Sequence, residues 1–119
     1  MIIFKSTVRI LHYSPALHYM LTRLLDYDDY YPNGAPLELV VTSINDSSHG
    51  VDSKHYKDMA IDLRSKNFPN SLKQDFVEKF AHHLNILSKG TRYTVLLEGL
   101  GTANEHFHIQ VAKGTTYNG

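Results

Sequence analysis

Residues 92–112 read RYTVLLEGLGTANEHFHIQVA. Two runs rich in β-branched, aromatic and aliphatic residues, 92–98 and 106–112, flank the glycine-bearing turn 99–104, which predicts two strands. Within the second run Phe107, Ile109 and Val111 alternate with His106, His108 and Gln110. The apolar set is then a core face, and the imidazoles stand on the other side.

Upstream, MAIDLR at 59–64 has the same period of two, with Asp62 away from the apolar set, and LELVVTS at 37–43 reads as a further strand. Between them lies INDSSHGVDSKHYK, a long polar loop carrying His49 and His55, and loops of such length in a small domain tend to be functional. Ser14-Pro15 starts a helix expected over 15–25, with Leu17, Met20, Leu21, Leu24 and Leu25 as its apolar stripe. Residues 26–36, DYDDYYPNGAP, read as a connecting loop with solvated Asp side chains. Pro69-Asn70-Ser71 opens a second helix with Leu72, Phe76, Phe80, Leu84 and Leu87 on one face and Lys89-Gly90 at its end, and His82 and His83 on it read as surface or interfacial. The fold class expected is α+β: a small antiparallel sheet flanked by helices, in one domain over residues 1–119.

Composition narrows the function. Equal numbers of acidic and basic residues, 12 each, leave no positive field for a polyanion, so nucleic-acid binding is disfavoured. Cysteine is absent, which removes thiolate ligands, thiol nucleophiles and disulfides and restricts any metal to nitrogen and oxygen donors. The start MIIFKSTVRILHYSP is interrupted by Lys5, Arg9 and His12 before reaching the length of a signal-peptide core, and no segment is long enough to span a bilayer. Cytoplasmic synthesis without a signal peptide, no membrane partner and a monomer are the expectations. The anomaly is histidine, at eight residues, which points to metal or proton chemistry.

A catalytic zinc site takes three nitrogen or oxygen ligands and keeps a position for water. His55, Asp62 and His108 offer such a set, and Glu105, three residues before His108, offers a carboxylate to serve as general base. On a regular strand Glu105 and His108 face opposite sides, so this role requires a bulge or irregular entry near Asn104-Glu105. By spacing alone the bland alternative stands level: structural histidines, and an Asp62 that caps a turn or pairs with Arg64.

Residues 53–62, SKHYKDMAID, resemble the S-x-H-x-x-G-x-A-x-D motif of the zinc D-alanyl-D-alanine peptidases, the VanX/VanY-type family that includes phage endolysins, and Glu105-His106-Phe107-His108 resembles its E-x-x-H. The resemblance implies a hedgehog/D,D-peptidase-like fold and a peptidase acting on peptidoglycan stem peptides, at the cell wall or within a phage particle. It implies Zn2+ on His55, Asp62 and His108, Glu105 as the base, and Ser53 in contact with substrate. Asp58 stands where the motif has glycine. The family also uses an upstream arginine, for which Arg9 is preferred to Arg23, and His49 and His106 are expected to face substrate. A metal-keeping, non-catalytic binding or virion module on the same fold is the alternative from another class. Two further readings, a non-haem iron oxygenase and a local His49/Asp52/His55 site, lack the spacing and the base respectively.

Overall fold

The structure is a computed structural model and describes residues 2–8, 10, 14–30, 38–44, 60–88 and 90–112. Its elements run β1 (Ile2–Phe4), α1 (Pro15–Tyr30), β2 (Leu39–Ile44), β3 (Ala60–Arg64), α2 (Asn70–Ile86), β4 (Tyr93–Glu98) and β5 (His106–Val111). Five strands form one sheet in the order β1-β2-β3-β5-β4. β1 runs parallel to β2, and every other neighbouring pair is antiparallel. The α+β class thus holds, while the sheet is mixed rather than wholly antiparallel. Its parallel member is the short strand Ile-Ile-Phe, joined to β2 across α1, as a parallel connection requires.

Alternation decides which side of the sheet is packed. Ile61 and Leu63 on β3, Tyr93 and Val95 on β4, and Phe107, Ile109 and Val111 on β5 are buried and join both helices in one hydrophobic cluster. Both helices therefore cover the same face of the sheet. Phe76 stacks on Phe80 and meets Phe68, Phe107 and Tyr27 through edge or tilted contacts, so one aromatic nest joins α1, α2 and β5. Tyr19 donates from its hydroxyl to the Leu84 carbonyl at 2.6 Å, and Asn85 bonds both the N–H and the carbonyl of Tyr93, fixing α2 against α1 and β4.

Three expectations shift at helix ends. α1 begins as read, with the Ser14 hydroxyl accepting from Leu17 N–H at 3.1 Å, but continues to Tyr30 instead of stopping near Leu25. Tyr27 explains the extra turn: its ring is buried against Phe76 and Phe80, while Asp26 forms an ion pair with Arg23 at 2.6 Å and is not simply solvated. On α2 the buried face is Lys73, Phe76, Phe80 and Leu84; Leu87 caps the helix and is exposed. His83 lies between the helices, against Tyr27 and Phe80, which agrees with an interfacial reading.

Candidate metal centre

The polar half of the strand alternation supplies the chemistry. Asp62 and Arg64 on β3, His106, His108 and Gln110 on β5, and Thr94, Leu96 and Glu98 on β4 fall on the sheet face opposite the helices. Register sets which of them meet. Asp62 pairs with His108, Leu96 with His108 and Glu98 with His106 across their ladders.

Three of these side chains converge. One ligand atom from each of Asp62, His106 and His108 lies within 4.8 Å of the others. His108 Nδ1 is 2.8 Å from Asp62 Oδ1, and His106 Nε2 is 3.9 Å from that same oxygen. Ligands held tetrahedrally at about 2.0 Å from zinc stand about 3.3 Å apart, between these two distances. Two imidazoles and a carboxylate are also the donor types zinc accepts at such sites. The described residues thus bring together a set that could hold a divalent ion, with the His108–Asp62 pair inside the tetrahedral spacing and the His106–Asp62 pair outside it.

Second-layer contacts orient the rings. His106 Nδ1 donates to the Asn104 carbonyl at 2.7 Å, which leaves Nε2 toward Asp62 and toward Glu98 Oε1, 3.0 Å away. A carbonyl and a carboxylate both accept, and a neutral imidazole carries one N–H, so the second contact needs a proton or a cation between Nε2 and Oε1. His108 has its Nε2 2.7 Å from the Gln110 amide. Burial disfavours the His108 imidazolium, yet the hydrogen bonds to Asp62 and Gln110, with the charges of Asp62 and Glu98, outweigh it and raise its pKa above the ordinary 6.5.

Glu105 is engaged on partners of its own. It lies in the irregular entry just before β5 and is buried, with its carboxylate bonded to Lys73 on α2 and not to His108. Its Oε1 accepts from Lys73 Nζ at 2.5 Å and from Ser65 Oγ at 2.7 Å, and its Oε2 from the Gly101 N–H at 3.0 Å. The Gly101 N–H first, then Lys73 and Ser65, hold the Glu105 carboxyl down to about 2. A carboxylate so fully engaged is poorly placed to exchange protons with water over the imidazoles. Glu98, unremarked in the sequence, is the carboxylate that stands beside them.

Of the other expected site residues, His106 joins the cluster, whereas His55, Ser53, His49 and Arg9 lie outside the described residues, as does Asp58. A cleft beside the cluster is lined by Asp62, His106, Thr42, the Asn104-Glu105 segment and the cations Lys5, Arg64 and Lys66. Among the described residues no helix is long and apolar enough to cross a membrane.

The chain matches no family model, no curated protein and no solved structure.

Proposed function

We propose that this protein is a zinc-dependent peptidase that cleaves peptidoglycan stem peptides, with the metal on Asp62, His108 and His106. The observation that carries the reading is the convergence of those three side chains on one face of the sheet. Asp62 and His108 belong to both the cluster and the resemblance motif; His106 takes the third position in place of His55, because its Nδ1 is committed to Asn104 and its Nε2 is aimed at Asp62. Zinc there supplies a Lewis acid and a bound water whose pKa falls to about 7.

The rest is work for the chain's own side chains. Glu98 replaces Glu105 as the proton carrier: it accepts a proton from the attacking water and returns it to the leaving amine nitrogen as the peptide C–N bond breaks. Asp62 fixes the His108 ring, and Asn104 fixes that of His106. Arg64 and the neighbouring lysines at the cleft favour a substrate bearing carboxylates, as stem peptides do.

Incubating the zinc-loaded protein with purified peptidoglycan and identifying the released fragments by mass tests the reading. Fragments from one defined bond, lost on chelation and regained with zinc, are expected. Intact peptidoglycan beside a fully zinc-loaded protein would overturn the peptidase and favour the non-catalytic metal module.

A further inference from the structure

Glu105 immediately precedes His106, yet its side chain passes to the other side of the sheet. There it ends among three donors from three separate segments: Lys73 on α2, Ser65 just after β3, and the backbone of Gly101 in the β4–β5 turn. Both the Lys73 and the Glu105 side chains are more than nine-tenths buried. An ion pair in such surroundings stabilises weakly in net terms but resists loss of either partner strongly, so its geometry is tightly held. Gly101 has φ 80°, a backbone state that favours glycine, and this turns its N–H back toward the Glu105 carboxylate. The same turn is locked at its other edge, where the Lys66 ammonium donates to the Ala103 carbonyl at 2.9 Å.

We propose that Glu105, Lys73 and Ser65 form a latch that positions the metal centre from behind the sheet. The latch fixes the end of the β4–β5 hairpin against the end of β3. That junction sets two relationships at once: Glu98 opposite His106, and His106 and His108 against Asp62. Glu105 acts through its neighbours and touches none of the reacting groups, so it is a positioning residue. This inference rests on the reading of Asp62, His106 and His108 as a metal centre, and it assigns to the E of the E-x-x-H sequence a role on the opposite face from the chemistry.

The test measures zinc affinity by competition with a chromophoric chelator, and the His108 titration of the metal-free protein by NMR, at a temperature where circular dichroism shows every variant folded. Glu105→Gln sets an amide against the Lys73 ammonium and is expected to weaken zinc binding about 10- to 100-fold, the range typical of residues that orient ligands. It is also expected to move the His108 pKa back toward its ordinary value, as Asp62 and His108 lose register. Adding Lys73→Met to Glu105→Gln removes the unpaired cation, keeps the bond to Gly101, and is expected to restore both readouts to within about threefold and close to wild type respectively. A folded Glu105→Gln protein with unchanged zinc affinity and unchanged His108 titration overturns the latch. So does a double variant as defective as the single one, since Glu105 would then act at the site directly. Failure of the wild type to bind zinc instead overturns the metal reading, while the His108 titration still decides the latch.

Discussion

Glu98 and His106 face each other at the turn end of the β4–β5 ladder, with Glu98 Oε1 3.0 Å from His106 Nε2. The other nitrogen of the ring is already spent on the Asn104 carbonyl, so this contact is where a proton or a cation has to reside. It separates the two glutamates of the hairpin by role: Glu98 is exposed and beside the imidazoles, whereas Glu105 is buried and fully bonded.

Glu98→Gln is accordingly the substitution expected to abolish turnover with little else changed. Zinc content and melting temperature should stay near wild type, while kcat on peptidoglycan peptides falls about 10²- to 10⁴-fold. Single-turnover hydrolysis monitored by mass spectrometry checks this. Wild-type turnover in zinc-replete Glu98→Gln protein would remove Glu98 from the chemistry.

The choice of third ligand is open to direct measurement. Asp62→Ala and His106→Ala should each lower bound zinc from one per chain to a small fraction of that, by elemental analysis after gel filtration. His55→Ala should leave most of it. The reverse pattern, zinc kept without His106 and lost without His55, would restore the motif's ligand set and leave His106 with Glu98 as a proton-handling pair.

Proton competition gives a pH dependence whose sign follows from His108. Its folded-state pKa is raised above 6.5, so in the metal-free protein its pairing with Asp62 is fully stabilising below 6.5 and is lost as pH rises through the raised value. Zinc requires the deprotonated ring, and its binding stabilises the native state by mass action. The zinc-induced rise in melting temperature should therefore grow with pH across the range just above 6.5. Calorimetric scans with zinc and with chelator at matched pH measure it, and a constant or shrinking increment would count against His108 as a ligand.

Packing offers a prediction independent of the site. Phe76 is wholly buried in the aromatic nest with Phe68, Phe80, Phe107 and Tyr27. Phe76→Ala should cost about 3–5 kcal/mol in urea unfolding, a large share of a small domain's stability. A loss below about 1 kcal/mol would mean that the nest collapses around the gap.

Strand parity made much of this legible. The period of two in residues 59–64 and 106–112 already placed Asp62, His106 and His108 on one side and Ile61, Phe107 and Ile109 on the other. The same parity argued against Glu105 as a partner of His108, and the hydrogen bonds of its carboxylate agree with parity over the motif spacing. Its true partner, Lys73, lies 32 residues away on a helix whose spacing marked Leu72 and Phe76 as inward, so a buried lysine between them had no local signal. Glu98 shares the polar parity of β4 with Thr94 and Leu96, but only the register across the turn shows that it meets His106. β1, at three residues, is too short to announce itself by alternation.

The sheet order has a consequence for the time course of folding. β4 and β5 are joined by the short connection 99–105 and can zip locally, whereas the β3–β5 ladder brings Asp62 to His108 across 46 positions of chain. Closing so large a loop carries an entropic penalty that local pairing avoids, which makes the β3–β5 union a slow step. The donors of the site come into being only with that union, so a chain caught before it holds imidazoles on one hairpin and their carboxylate elsewhere. Metal capture would then report that this ladder has formed, and a bound ion would act chiefly as a brake on unfolding, holding shut a long-range seam.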